Sequence, residues 1–330
     1  MLPVADSLGK WGYIDGTGKQ IIPCQFDMVY GFYNGYSMFA IDVNGAYKFG
    51  FIDEQGNLIE QPTYDNGYNF SDGVSWLMER DNEKGINRFF LTDGKGSKEQ
   101  LSIQYTAVKP FADGMAAVQR FGNWGFVNKD LKEIIKPQFK AISVFSGGLC
   151  AFGTTDDTLC TWGYINKAGQ VVIKPDYSSA YPFAEGMAAV KMQTETKKSK
   201  GKTVKLDKWG YISGSGEVII PFTFDEAESF SNGMAKVKLD NRYVFINQSG
   251  KMVHMLDSGI TASSFHDDLA LVNDGSKVYF INKMGEQAIK MNFVDAGNFN
   301  NGYAWVVLPG NIQAYIDTKG NIIWQSKKSK

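Results

Sequence analysis

The chain has 330 residues, 43% of them hydrophobic, and its 34 basic and 35 acidic side chains leave a net charge of −1. That balance excludes a global electrostatic attraction to nucleic acid or to an anionic membrane. No apolar run approaches the roughly 18 residues needed to cross a bilayer.

The chain starts on Leu2-Pro3-Val4-Ala5, a short apolar run, followed by Trp11-Gly12-Tyr13-Ile14-Asp15 and, three residues later, Gly18. The same grammar returns at Phe49-Gly50-Phe51-Ile52-Asp53 with Gly56, Trp124-Gly125-Phe126-Val127-Asn128 with Leu131 at the glycine position, Trp162-Gly163-Tyr164-Ile165-Asn166 with Gly169, and Trp209-Gly210-Tyr211-Ile212-Ser213 with Gly216. Fainter copies begin at Arg88, Tyr243, Val278 and Gln313. Each reads as a strand, a turn opened by Asp, Asn or Ser and closed by Gly, and a β-branched return strand such as Val218-Ile219-Ile220, ended by a proline that cannot donate to a ladder. Between copies lies Phe-x-x-Gly followed by an apolar strand, as in Phe32 to Gly35, Phe70 to Gly73, Phe111 to Gly114, Phe145 to Gly148, Phe183 to Gly186, Phe230 to Gly233 and Phe299 to Gly302, with Phe265 to Asp268 as a variant.

Each unit is therefore a meander of four strands: A ending at the Phe, B after its Gly, C carrying the Trp and D the Val-Ile-Ile run. The expected array is a B-C-D fragment and then eight A-to-D units, one continuous domain over residues 1–330, with an excursion at 193–207 and a frayed tail at 326–330. Two residues after each Trp position stands Tyr or Phe, and one further Ile, Val or Leu. Both faces of strand C are thus apolar, so it must lie between neighbouring sheets. The predicted fold class is all-β and β-propeller-like, with an open superhelical β-solenoid as the alternative. The pairing of Trp with Gly suggests an indole lying over the glycine of a nearby strand.

These residues, Trp-Gly-aromatic-aliphatic, turn, Ile-Ile-Pro and Phe-x-x-Gly recurring in phase, resemble the WG-repeat (KWG-repeat) family of bacterial proteins over nearly the whole chain. The resemblance implies a β-repeat array, found largely in bacterial and often exported proteins, and implies no catalytic residue. With the mid-repeat start, it points to a removed leader and an exported protein, periplasmic or at the cell surface; a native cytosolic start is the alternative.

No constellation for catalysis, cofactor or metal binding stands out. His254 and His266, the only histidines, both fall in the degenerate seventh unit and read as surface-turn residues, without a third ligand. The Asp-x-x-Gly turns lack the alternating oxygen ligands of a calcium loop. Trp11, Gly12, Trp124, Gly125, Trp162, Gly163, Trp209 and Gly210 are read as structural, since lockstep spacing favours packing over a sugar-stacking ladder. Cys150 and Cys160, on strands B and C of one unit, are expected to pair as a disulfide if the protein is exported. Lys197, Lys198, Lys200, Lys202 and Lys205 form a candidate partner-binding finger.

The expected function is a monomeric, non-enzymatic scaffold that binds a protein partner in the cell envelope. A glycan- or cell-wall-binding module and a propeller-type hydrolase are the alternatives. Spacings locate the recognition surface: from strand B to strand C the interval grows from Gly114–Trp124 to Gly148–Trp162 to Gly186–Trp209, while the other turns keep their length. The predicted rim is Asp42–Tyr47, Glu79–Asn87, Gly153–Leu159 and Gln193–Asp207.

Overall fold

The computed structural model describes residues 1–155, 160–199 and 202–326, with backbone alone over the arms of 194–205. Every regular element among them is a β-strand, and the strands form nine antiparallel sheets of consecutive strands. Seven sheets hold four strands; the first holds three, in the expected B-C-D order, and the eighth holds three because its strand D is reduced to isolated bridges, Ile281 to Gln287 and Val278 to Phe293. Among the described residues no ladder runs from one sheet to the next, so the units are propeller-type blades and not coils of a β-solenoid. Two compact units divide the chain, Met1–Phe145 with Lys167–Gly169, and Ser146–Asn166 with Gln170–Lys330.

Strand C follows its predicted burial closely. Tyr13, Phe51, Phe126, Tyr164, Tyr211, Phe245 and Phe280 are fully enclosed, and so are the aliphatic residues that follow them. The turn after strand C is closed as the residue types require: in the first copy Asp15 Oδ1 accepts the Thr17 and Lys19 N–H groups at 2.8 and 3.0 Å, and Gly18 takes φ +83°. Leu131, standing where other copies have glycine, is held at φ +56°.

Strand A differs from expectation. In most sheets it is two residues long, such as Met28–Val29, and ends before the Phe, which lies in a bulged connection closed by a bridge such as Tyr33 to Tyr36. The Phe ring packs on the preceding sheet whether it has left strand A, as Phe32 has, or remains in it, as Phe145 does in Ala141–Ser146.

The tryptophan–glycine pairing also has a different cause from the one the sequence suggested. A Cβ on Gly12, Gly50, Gly125, Gly163 or Gly210 would lie 2.3–2.7 Å from a backbone oxygen of strand D in its own sheet, the carbonyl of Ile22, Glu60, Ile135, Ile173 or Ile220. Strand D bulges around its proline at this point, pairing Trp124 with Phe139 and Phe126 with Ile135, and its backbone presses on the site of the missing side chain. Trp209 is buried and stacks on Tyr181 at 5.1 Å, whereas Trp11 is 36% exposed.

Candidate interaction surface

Consecutive sheets are joined by three repeated contacts. The aromatic of strand C meets the Phe nineteen residues on, or twenty in the seventh sheet, with rings edge to face or tilted and centroids 4.8–5.0 Å apart: Tyr13 with Phe32, Phe51 with Phe70 and Phe126 with Phe145 in the first unit, Tyr164 with Phe183, Tyr211 with Phe230, Phe245 with Phe265 and Phe280 with Phe299 in the second. Where this aromatic is tyrosine, its hydroxyl donates to the carbonyl just after the next strand A: Tyr13 to Tyr30, Tyr164 to Tyr181 and Tyr211 to Glu228, each at 2.7 Å. Burial pushes these three hydroxyls well above the ordinary phenol range, so they act as fixed donors. The degenerate third sheet replaces the contact with Trp76 stacked on Phe111 at 5.6 Å.

The A–B turns supply the third contact. The side chain before the turn glycine, at positive φ, caps the corresponding N–H of the next sheet: Asp72 to Gly114 at 2.6 Å, Asn232 to Asp268 at 3.0 Å and Asp267 to Gly302 at 2.7 Å. Among the described residues, no group of three or more His, Cys, Asp and Glu side chains could hold a metal ion.

The opposite end of each sheet carries the B–C hairpins. Their register is fixed from the constant end, because the first residue of strand B pairs with the turn opener of strand C in sheet after sheet: Tyr36 with Asp53, Met115 with Asn128, Leu149 with Asn166, Met234 with Asn247 and Tyr303 with Asp317. Extra residues therefore accumulate at the tip. The predicted rim loop Asp42–Tyr47 narrows to the two-residue turn Asn44-Gly45, both at positive φ, as a tight hairpin of primed type requires. Strands Ser75–Asp81 and Ile86–Thr92 likewise run into the predicted loop Glu79–Asn87. Of Gly153–Leu159, the last four positions lie outside the described residues.

The excursion at 193–207 is no loop. Strands Ala188–Ser199 and Lys202–Ile212 continue as one long hairpin, with a bulge between Gln193 and Glu195 and pairs out to Ser199 and Lys202. Its five pairs beyond the bulge project roughly 15–20 Å at about 3.3 Å per residue. Lys197, Lys198, Lys202 and Lys205 lie on its arms by backbone position, and Lys200 lies outside the described residues.

A polar relay holds the base of several hairpins. The lysine preceding the Trp position reaches the aspartate seventeen residues later, in the D–A connection: Lys10 to Asp27, Lys48 to Asp65 and Lys208 to Asp225. The other oxygen of Asp27 accepts the Asp42 N–H at 2.9 Å, and that of Asp65 accepts the Arg80 N–H at 2.7 Å. The Lys10 ammonium, then the Asp42 N–H, holds the Asp27 carboxyl below the usual carboxylate range. Sequence reasoning missed this relay, although the constant interval of seventeen was there to be found.

The same register overturns the expected disulfide. Cys150 faces Ile165 across the B–C ladder, Gly153 faces Trp162, and Cys160 lies beyond the ladder, so the two cysteines are out of phase. All three cysteines carry thiols. The histidines are corrected too: they belong to different sheets, and only His266 is in a turn, bridging to Leu269. His254 lies on strand Met252–Met255 and fills the place other copies give to isoleucine, its ring packed where a Cβ on Gly285 would come within 2.2 Å of Nδ1. The expected tail begins later than predicted, since Ser326 N–H still donates to Gln313 at 2.8 Å; Lys327–Lys330 lie outside the described residues.

The family model described as "WG containing repeat" matches seven segments, 11–45, 49–82, 101–123, 124–153, 162–193, 209–243 and 280–310, together more than half of the chain. The chain belongs to the WG-repeat family. No curated protein matches it by sequence. Among solved structures, this WG-repeat protein is similar to the computationally designed Ika8 protein (14% identity, 79% of this chain and 86% of that one, TM-score 0.45). It is also similar to a eukaryotic initiation factor (10% identity, 96% and 85%, TM-score 0.49) and to the β-propeller domain of the Trilobed protease from Pyrococcus furiosus (8% identity, 78% and 93%, TM-score 0.44). Among the described residues no helix is long and apolar enough to cross a membrane.

Proposed function

We propose that this WG-repeat protein is a protein-interaction scaffold whose recognition surface is built from the B–C hairpins. The observation that carries the reading is the asymmetry between the two ends of the blades. The A–B and C–D turns are fixed in length and capped from sheet to sheet, while the B–C hairpins range from the two-residue turn Asn44-Gly45 to the arms Ala188–Ser199 and Lys202–Ile212. A rigid support that varies at one end alone is the arrangement of a binding protein.

The lysines of the long hairpin suit an acidic protein surface. The glycan reading loses its main support, because the strand C aromatics and the Phe residues that pack on them are consumed in contacts between sheets. The envelope location expected from the family resemblance belongs to the same proposal, and fractionation of the source cells tests it.

Replacing Thr194–Leu206 by a two-residue turn should leave folding intact, since the register is set at the other end, while weakening recovery of a partner identified by cross-linking in the source cells. If the trimmed protein, and variants with reversed charges on Glu79–Asn87, recover that partner undiminished, the B–C surface is not the binding site.

A further inference from the structure

Three B–C hairpins of the first compact unit end on apolar side chains that their turns do not require. In the fourth sheet, strands Met115–Arg120 and Asn123–Asn128 are joined by the two-residue turn Phe121-Gly122, closed by the pair Arg120 and Asn123. Phe121 is held at φ +53° and Gly122 at φ +73°, the primed geometry that the second sheet meets with Asn44-Gly45 and the seventh with Asp240-Asn241. A bulky side chain at positive φ is an outlier, and this one is 87% exposed, so burial does not offset its strain.

The ring is nevertheless held in place. The Arg120 guanidinium lies 5.6 Å from the centre of the Phe121 ring and 5.6 Å from that of the buried Tyr105. Glu133 Oε2 steadies the cation, 3.4 Å from one Nη, and accepts the Tyr105 hydroxyl at 2.8 Å. An aromatic that is exposed, strained and positioned in advance has the properties of an anchor for another molecule.

Two sheets of the same unit repeat the pattern. Leu8 is 85% exposed in the first sheet's turn, where Asp6 Oδ1 accepts the Leu8 and Lys10 N–H groups at 2.9 and 3.0 Å. C–D turns capped in the same way mostly give this place to polar residues, such as Thr17, Gln55 and Ser249. In the second sheet Tyr47 is half exposed beside the turn Asn44-Gly45.

The third sheet decides what kind of molecule is bound. It stands between the second and the fourth, joined to them by Phe70 on Phe51 and Trp76 on Phe111, and its B–C turn, Asn82 to Gly85, exposes Glu83 and Lys84. A lipid surface accepts isolated apolar tips but rejects charges carried in among them. Apolar tips on either side of a charged one suit the mixed surface of a protein.

We propose that Phe121 is the principal anchor of the B–C surface and inserts its ring into an apolar pocket of a partner protein, with Leu8 and Tyr47 as flanking contacts. The proposal rests on the reading of the B–C hairpins as the recognition surface and names the residues that hold the partner. Phe121→Asn relieves the turn and removes the anchor, so stability and binding move in opposite directions, which a structural role for the ring does not allow.

The test introduces Phe121→p-benzoylphenylalanine into the full chain in its source cells, with Ile219→p-benzoylphenylalanine, exposed on a strand D, as the control. A photo-cross-link to apolar residues of one partner protein is expected from position 121 and none from position 219. That protein, purified and titrated against the full chain, should bind about tenfold or more weakly to Phe121→Asn, several-fold more weakly to Leu8→Ser and to Tyr47→Ser, and equally to Ile219→Ser. The thermal midpoint of Phe121→Asn should not fall. No protein cross-link from position 121, a cross-link to lipid or to a second copy of this chain, or undiminished binding to Phe121→Asn overturns the proposal. If trimming Thr194–Leu206 weakens a partner that Phe121→Asn still binds undiminished, the anchor fails and the B–C surface stands; if neither change weakens it, both fail.

Discussion

Replacing Gly125 by alanine tests why tryptophan and glycine travel together, because two physical accounts predict opposite signs. Gly125 sits in strand C without a positive φ, so its backbone is open to any residue. If glycine were there only by default, alanine would stabilise the strand by about 0.5–1 kcal/mol through lost freedom in the unfolded chain. The geometry says otherwise. The new Cβ would lie 2.3 Å from Ile135 O, 2.5 Å from Pro137 N and 2.7 Å from Lys136 C, all backbone atoms that cannot swing aside. Relief needs strand D to retreat by roughly 1 Å, which opens the bulge that seats Ile135 in the core; overpacking of this kind costs about 3 kcal/mol. Urea denaturation followed by tryptophan fluorescence reads the difference. Gly114→Ala is the control, since it meets open space at φ +80° and carries only the strain of a left-handed residue, about 1 kcal/mol. A Gly125→Ala midpoint equal to or above wild type, or a loss smaller than that of the control, refutes the close-approach argument.

Tyr211→Phe should cost about 1–2 kcal/mol, because the Glu228 carbonyl loses its 2.7 Å donor; an unchanged midpoint would show that water replaces the hydroxyl. Phe121→Asn should stabilise by about 1 kcal/mol, since Phe121 is 87% exposed yet held at φ +53° in a turn that elsewhere uses Asn44-Gly45 or Asp240-Asn241; a lower thermal midpoint refutes it. Asp27→Asn tests the Lys10 relay through pH. A carboxyl held below its unfolded value of about 3.9 contributes stability above that pH and loses it as the pH falls through the folded value. The variant should therefore trail wild type by about 0.5 kcal/mol near neutrality and match it near pH 2, and a gap that persists in acid would place the effect elsewhere. Thiol titration of the unfolded, unreduced protein should return three thiols; a count of one would restore the disulfide that the register excludes.

Much of the fold was legible because its signals are local. The Tyr13-Ile14 type of pair, apolar on both faces of one strand, demands sheets on both sides, and Asp15 to Gly18 is a turn whose residue types dictate its backbone. The B-C-D start could be read from Leu2-Pro3-Val4-Ala5 alone. What escaped the sequence is what depends on a second repeat or on a bulge. Phe32 packs on Tyr13 of the preceding sheet, a contact that no pattern within one unit announces. The clash behind Gly125 arises from a bulge around Pro137, which no periodicity announces. Treating Cys150 and Cys160 as facing positions misplaced Cys160, since the ladder is phased from Leu149 and Asn166 at the far end.

That phasing explains how one blade design tolerates both a two-residue hairpin and a projecting arm. Because strand B is locked to the C–D turn opener, residues inserted at the B–C tip leave every contact below them in place; Lys191 still faces Trp209, as Gln119 faces Trp124 in a sheet with a minimal turn. A slip of one residue would instead send Ala189 and Tyr211 to the wrong faces and break the packing of two sheets at once. Length can therefore vary only where nothing else is phased from it. The surface that can change without unfolding the protein is the one best placed to distinguish partners.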